Sequence, residues 1–334
     1  MKKDEPSPLL SLCIPTHNRP RLLRRTLESI KASRPYLIEA IVSDNSDNDD
    51  SRAIVEQVFA SATFKWTYYK NDPQSGASDN ANKCIELARG KYVYLIHDDD
   101  FLYPGGVDAM CKNLEHLNDL YKVAKFGVSL ANVDGKVYRT QTCKQKTYLK
   151  PDEAYRRLLN NSSWIRFPSI VVAKSAYEEI GGYNPAYKSA DDLDMWIRLL
   201  AAYGVYCTPE VVSVFTIHPE ADTQRMFNEQ TVEILIKLFD KAKERHLIGE
   251  KDFEMYKTNF LHQFILSGAV RSLRNNDAAN ARRIMSIFKM DSLKNLKMSY
   301  KWMSVRLLLN LFTYERSIFT TKRVFAKYFK TLSN

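Results

Sequence analysis

Tyr92-Val93-Tyr94-Leu95-Ile96-His97-Asp98-Asp99-Asp100 is the stretch on which the fold turns. Five β-favouring residues in a row make a buried strand, and that strand runs straight into His97 and three carboxylates. Adjacent carboxylates repel one another, and at the end of a buried strand a divalent cation relieves the repulsion. Aspartate oxygens suit Mg2+ or Mn2+, ions commonly held by one or two carboxylates together with substrate phosphates, so a phosphorylated ligand is expected at this edge. The plain alternative is a solvated acidic turn.

Outward from this stretch, β-rich runs alternate with helical ones. Leu9–Ile14, Ile38–Ser43, Phe64–Tyr69 and Lys91–Ile96 read as strands; Arg21–Lys31, Ser51–Ala60 and Ala77–Ala88 have helical spacing, with Arg89-Gly90 as a stop. This is the pattern of βαβ units around a mainly parallel sheet, whose ligands bind outside the carboxyl ends of the strands. After the first strand stands Pro15-Thr16-His17-Asn18-Arg19-Pro20, which carries neither the GxGxxG of a dinucleotide site nor the GxxxxGK[ST] of a nucleotide triphosphatase. The second strand ends in Val42-Ser43-Asp44-Asn45-Ser46-Asp47, where an acidic residue accepts hydrogen bonds from a base or ribose, although the same residue types also form turns and helix caps.

A second block has Lys125–Asn132 and Lys136–Thr142 around Asp134-Gly135, a two-residue hairpin signal. A strand over Ser169–Ala173, a helix from Lys174 to Ile180 ended by Gly181-Gly182, a helix from about Asp192 to Tyr203, and strands over Val205–Cys207 and Val211–Ile217 follow. Beyond Pro219 apolar residues recur at helical spacing through Glu229–His246, Asp252–Leu273, Ala278–Phe288, Leu293–Phe312 and Arg316–Phe329.

Taken together, Pro15-Thr16-His17-Asn18, Val42-Ser43-Asp44-Asn45-Ser46, and Cys84 through Val93 running into Asp98-Asp99-Asp100 resemble the ordered motif series of the family 2 inverting glycosyltransferases, over residues 9 to about 218. The resemblance implies an α/β GT-A nucleotide-diphospho-sugar transferase fold, with a mainly parallel Rossmann-like sheet followed by an all-helical C-terminal region. It places the catalytic domain at 1–224 and the helical region at 225–334. It further implies that Pro15, Thr16, His17, Asn18, Asp44, Asn80 and Asp98 line the nucleotide site, and that Asp98, Asp99 and Asp100, joined by His218, supply metal contacts. Two departures stand out: the family usually has Tyr where His17 stands, and often an Arg before the fourth strand where this chain has Ser78-Asp79-Asn80-Ala81.

Asp191-Asp192-Leu193-Asp194-Met195-Trp196-Ile197-Arg198 resembles the family's acidic pair followed by an aromatic and an Arg, which makes Asp192 the expected general base. An inverting transfer needs one carboxylate to take the acceptor hydroxyl's proton while a metal and positive groups hold the departing diphosphate. Carboxylates in a first helical turn are also favoured by the helix dipole alone. Asp191, Trp164, Arg198 and Arg225 are candidates for the acceptor side or for supporting contacts, with a core role the alternative for Trp164 and a structural role the alternative for His218. The expected partners are a nucleotide-diphosphate sugar and a glycan or lipid-linked glycan acceptor in bacterial cell-surface polysaccharide synthesis, with a deoxy- or dideoxyhexose donor as an alternative.

The rest of the composition bounds this reading. The chain has 334 residues, 45% hydrophobic and 26% charged, which excludes disorder and fibrous repeats and suffices to bury a core without disulfides or structural metal. Five scattered cysteines without a CxxC pair disfavour a disulfide framework or a zinc site and point to a reducing, cytoplasmic setting. Asp4, Glu5, Pro6 and Pro8 break the apolar run an export signal needs, and nowhere do eighteen apolar residues run together.

The formal charge is +10, while from Arg225 onward 21 Lys and Arg face 10 Asp and Glu, a net of +11, which leaves about −1 before it. Such asymmetry suits nucleic acid or the anionic inner face of a membrane. A nucleic-acid-binding module leaves the acidic clusters without purpose, since they repel phosphate unless a metal intervenes. Peripheral membrane attachment, with Tyr300, Trp302 and Phe312 interleaved among Lys297, Lys301 and Arg306 in the headgroup region, is one expectation; the other is that these apolar faces pack on the catalytic domain or a second subunit and the charges are simply solvated.

Overall fold

The computed structural model describes residues 7–117, 120–217, 226–294, 296 and 300–314. The chain divides into two compact units, residues 1–221 with 240–249, and residues 222–239 with 250–334.

In the first unit β1 (Leu10–Thr16), β2 (Ile38–Asp44), β3 (Lys65–Lys70) and β4 (Tyr92–Leu95) pair in parallel in the order β3-β2-β1-β4. β9 (Ile170–Ala173) adds antiparallel to β4, followed by β6 (Val123–Asn132), β10 (Val205–Ile217) and the two-residue β5 (Phe101–Leu102), while β7 (Val137–Gln141) pairs β6 and β8 (Thr147–Leu149) pairs β10. The first four strands are close to the expected ones. β1, β2 and β4 are buried along nearly their whole length because both faces are covered, as parallel sheets require, whereas the edge strand β3 is largely exposed. Leu10, Leu12 and Ile14 pack on one face with Leu23 and Leu27 of α1 (Pro20–Glu28), Val55 and Phe59 of α2 (Asp50–Phe59), and Met110 and Leu114 of α4 (Gly106–Leu117). On the other face lies α3 (Ala77–Leu87).

The stop at Arg89-Gly90 has a definite cause. The Arg89 amide donates to Glu39 and the Gly90 amide to Ser11 Oγ, and a Cβ on Gly90 would sit 2.6 Å from that hydroxyl. The Asp134-Gly135 hairpin forms as read, with Gly135 at φ 79°.

Elements absent from the expectations are β5, α4, β8 and α5 (Pro151–Asn160). The two strands expected around Thr208-Pro209-Glu210 are one, β10, whose register against β6 shifts between Cys207 and Val211 and again before Ser213. Pro209 has no N–H for the ladder, so the strand bulges there rather than ending. α6 (Lys174–Ile180) and α7 (Asp191–Tyr203) complete the unit.

The second unit contains most of α8 (Glu229–Lys243), α9 (Glu250–Arg274), α10 (Ala278–Ser286) and α11 (Tyr300–Tyr314). Gly268 permits α9 to approach Phe227, whose ring lies 2.4 Å from where a Cβ would stand. The helix expected from Leu293 begins instead at Tyr300, because Asp291–Leu293 forms a tight turn in which Ser292 donates to Glu233. Trp302 donates to Asn259 and Arg306 covers the Phe288 ring, while Met303, Leu307 and Leu308 are exposed among the described side chains of α11. The expected helix Arg316–Phe329 lies outside the described residues, and no helix among those described is long and apolar enough to cross a membrane.

Candidate active site

The carboxyl ends of β1 and β2 are stitched together before any ligand is considered. Asn18, in a left-handed conformation (φ 53°) that Asn tolerates, takes Ser46 Oγ on its amide and exchanges hydrogen bonds with Asp47. His17 shares its Nδ1 proton with the Asn45 carbonyl at 2.9 Å, which leaves Nε2 as the accepting nitrogen. Beneath them Asn80, on the first turn of α3, donates to the Thr16 carbonyl and to Asn45 Oδ1 and accepts from Asn71. Asn80 is thus a buried hub under the loops expected to hold a nucleotide.

Asp44 is completely buried and well partnered: Oδ1 accepts from the Ser46 amide, and Oδ2 accepts from the Tyr68 hydroxyl at 2.6 Å and from Lys70 at 3.3 Å. Oδ1 holds a single donor and can accept one more hydrogen bond.

The three carboxylates after β4 are directed differently from one another. Asp98 accepts from Thr16 Oγ1 at 2.7 Å and lies 3.4 Å from Arg19, which is equally close to Asp99. Burial and the charge of Asp99 push Asp98 up to about 6, against the pull of Arg19 and Thr16. Asp100 is fully buried; its Oδ1 accepts from the Thr216 amide of β10, while its Oδ2 has no hydrogen-bond partner among the described residues. Burial and the neighbouring carboxylates raise Asp100 well above the usual carboxylate range. Arg25 clamps the segment by donating to the Asp99 carbonyl and to Thr216 Oγ1.

Ligand atoms of His97, Asp99 and Asp100 lie within 4.8 Å of one another. A buried carboxylate oxygen without a donor, a second carboxylate and an imidazole fit a hard divalent ion of the Mg2+ or Mn2+ class. Asp98 is absent from that trio because its oxygens face Thr16 and Arg19. His97, stacked 3.7 Å over Phe167, is the member that the acidic run alone does not suggest, although its place directly before that run is a signal. His218 and Arg225 lie outside the described residues.

The acidic pair opens α7. Asp191 accepts from Ser78 Oγ at 2.5 Å and from the Asp192 amide, whereas no donor among the described residues reaches the Asp192 carboxylate. Burial and then the charge of Asp191 raise Asp192 well above the ordinary range, the condition of a strong carboxylate base. Burial also raises Asp191, opposed first by the Ser78 hydrogen bond. Ser78 and Asn80 share the first turn of α3, so one turn of helix holds the acidic pair and the floor of the β1 and β2 loops. No motif marks Ser78.

Arg198 and Trp164 are placed in the frame. The Arg198 guanidinium is used by Asp194 and by the carbonyls of Ile180, Gly181 and Gly182, and Trp164 is buried with Arg157 and Lys125 over its ring. A cavity of about 310 Å³ lined by Lys91, Tyr92, Lys122 and Lys174 lies at the opposite, amino end of β4, away from these carboxylates.

The family model described as Glycosyl transferase family 2 matches residues 11–181. An uncharacterised glycosyltransferase of Rickettsia typhi is 25% identical over 238 residues, 69% of this chain and 70% of that protein. Among solved structures, S. aureus TarS 1–349 in complex with UDP-GlcNAc shares the fold with a TM-score of 0.60 at 12% identity, covering 94% of this chain and 91% of that one. The mannosyltransferase PcManGT from Pyrobaculum calidifontis, in complex with GDP-Man and Mn2+, gives a TM-score of 0.54 at 15% identity, covering 93% and 89%. The family match spans more than half of the chain and takes in the loop after β1, the end of β2 and the acidic run after β4; the chain is a glycosyltransferase and belongs to glycosyl transferase family 2.

Proposed function

We propose that this enzyme transfers a sugar, with inversion at the anomeric carbon, from a nucleotide-diphosphate donor to a hydroxyl of a glycan or lipid-linked glycan, in the assembly of a bacterial cell-surface polysaccharide. The observation that carries the reading is the first turn of α3, which fixes the donor-side loops through Asn80 and the acidic pair through Ser78. The fold neighbours bound to UDP-GlcNAc and to GDP-Man with Mn2+ support a nucleotide sugar as donor.

On this reading Pro15, Thr16, His17, Asn18, Asp44, Asn80 and Asp98 surround the nucleoside. His97, Asp99 and Asp100 would hold Mn2+ or Mg2+, with His218 as a further ligand; when bound, the ion neutralises the charge that the diphosphate gains on departure. Asp192 takes the proton of the acceptor hydroxyl as that oxygen bonds to the anomeric carbon, and the bond from that carbon to the phosphate oxygen breaks. Asp191, anchored by Ser78, positions Asp192 and sustains its basicity. Arg225 pairs with the diphosphate, while Arg198 and Trp164 support the acceptor side from the frame.

Residues 1–224 form the catalytic domain in this account, and the basic region 225–334 docks on the inner face of the cytoplasmic membrane. Met303, Leu307 and Leu308 give that docking an apolar contact, and each basic residue near an anionic surface adds about 1 kcal/mol. Co-sedimentation with anionic but not neutral vesicles, weakened by salt, is expected; binding indifferent to lipid charge removes the membrane from the account.

The function is tested by thermal shift across a panel of nucleotide sugars with and without Mn2+. A donor at one hundred times its dissociation constant stabilises by about 2.7 kcal/mol. A shift for one donor that needs Mn2+ supports the reading, and no shift for any donor overturns it.

A further inference from the structure

Two arginines reach the acidic run from the start of α1, and they are held in opposite ways. Arg25 spends its guanidinium on neutral oxygens at short range, the Asp99 carbonyl at 2.6 Å, Thr216 Oγ1 at 3.0 Å and the Val133 carbonyl at 3.2 Å, and so belongs to the frame. Arg19 instead points one nitrogen, Nη1, between two carboxylates, 3.4 Å from Asp98 Oδ1 and 3.4 Å from Asp99 Oδ2. Both contacts are longer than the roughly 2.7–2.9 Å of a well-formed charge-assisted bond. The Arg19 side chain keeps 32% of its surface exposed, against 5% for Asp98 and 12% for Asp99.

The backbone beneath it is fixed. Pro20 opens α1, Arg19 stands outside the helix at φ −129° and ψ 50°, and its carbonyl accepts from the amides of Leu22 and Leu23. A long side chain that grips loosely from a rigid base can exchange partners without moving the chain.

Asp99 is the partner it stands to lose. The ligand atoms of that carboxylate, His97 and Asp100 lie within 4.8 Å of one another and fit a divalent ion. An ion held there draws on the same carboxylate and sets positive charge beside the guanidinium, so Arg19 opposes it. Asp98 does not depend on Arg19 for its place, since Thr16 Oγ1 donates to its Oδ2 at 2.7 Å. An anion with several oxygens relieves the opposition, giving some to the ion and presenting others to the planar fork of the guanidinium; a diphosphate has that form.

We propose that Arg19 is a diphosphate-binding residue that exchanges partners: it holds Asp98 and Asp99 while the site lacks a divalent ion, and gives up Asp99 for the donor's diphosphate once the ion is bound. This role rests on the nucleotide-sugar reading above and adds to it a residue that couples ion to nucleotide. Removing Arg19 therefore acts on the two ligands with opposite sign, and it lowers the coupling between them equally when read from either one. Without Arg19 the ion meets less repulsion, and the diphosphate loses a partner.

The test compares the intact parent chain with Arg19→Met, reading Mn2+ alone by the EPR signal of the free ion, and UDP, GDP, CDP and dTDP in Mn2+ by titration calorimetry. The expected result is Mn2+ bound severalfold more tightly by Arg19→Met, and the nucleotide that the parent binds held at least about tenfold more weakly, the scale of a lost hydrogen bond to a charged group. A residue that merely shaped the loop would weaken both. Arg19→Lys keeps the charge without the fork, so its Mn2+ affinity stays near the parent's while its nucleotide affinity falls between the two. Mn2+ binding unchanged or weaker in Arg19→Met, or nucleotide binding unchanged, overturns the role of Arg19 and leaves the function standing. No nucleotide bound by the parent overturns the function, and this role with it.

Discussion

Asp44 and Asp100 are equally buried, yet one has every oxygen satisfied and the other leaves Oδ2 without a donor. Asp192 also has a carboxylate that no donor among the described residues reaches, but it is partly exposed to solvent, whereas Asn80 repeats the condition of Asp44. Burying an unsatisfied polar atom is costly, so at Asp100 it persists where something else in the working protein, a cation, completes it. Unfilled hydrogen-bonding capacity separates the reacting side of the site from its scaffold.

The largest effect that sharpens this contrast is at Asp192. Asp192→Asn is expected to retain nucleotide binding and to lower transfer, read as nucleoside diphosphate release, at least about a hundredfold, the scale of a lost general base. Its pH dependence has a definite sign. The base works ionised, and burial with Asp191 raises it, so transfer climbs as pH rises through a value above the ordinary carboxylate pKa of about 4. Stability carries the opposite sign: a group raised on folding binds its proton more tightly in the folded chain, so stability falls across that window, and Asp192→Asn removes the fall. A rate in Asp192→Asn within a few fold of the parent would move the base to Asp191.

Next comes Asp100. Asp100→Asn keeps an acceptor for the Thr216 amide but weakens the ligand set, so Mn2+-dependent binding of nucleoside diphosphate is expected to fall at least about tenfold without loss of melting temperature. Unchanged binding would make Asp100 scaffold like Asp44.

At Asn80 the expected change is in stability. Asn80→Ala strands the Thr16 carbonyl, Asn45 and Asn71, a loss on the order of 1–3 kcal/mol by urea unfolding, with weaker nucleotide binding as the secondary effect. Full stability with lost binding would place Asn80 in direct contact with ligand.

Smallest is Ser78→Ala, which frees Asp191 and is expected to slow transfer severalfold while leaving nucleotide affinity unchanged. An equal loss in both would make α3 a general support rather than the holder of the acidic pair.

The parallel strands and the acidic run were legible because local composition marks them: β2 is rich in β-favouring apolar residues, and three adjacent carboxylates after a buried strand point to a ligand more readily than to a turn. The division of labour within that run was not legible. It depends on Thr16 and Arg19 capturing Asp98, on the Thr216 amide reaching Asp100 from β10, and on His97 turning onto Phe167, all contacts between segments far apart in sequence. Ser78 was invisible for the same reason, since its partner Asp191 lies 113 residues away. β8 and β5 are too short for periodicity to show, whereas α4 carries Val107, Met110, Cys111 and Leu114 at helical spacing and was open to the same reading as its neighbours.

The central claim, a nucleotide-sugar site completed by a divalent cation, is tested most directly by titration calorimetry of the intact chain with UDP, GDP, CDP and dTDP, in Mn2+ and in EDTA. The account predicts that one of the four binds in Mn2+ and at least about tenfold more weakly in EDTA. Equal affinity in both conditions, or no binding by any of the four, would contradict it.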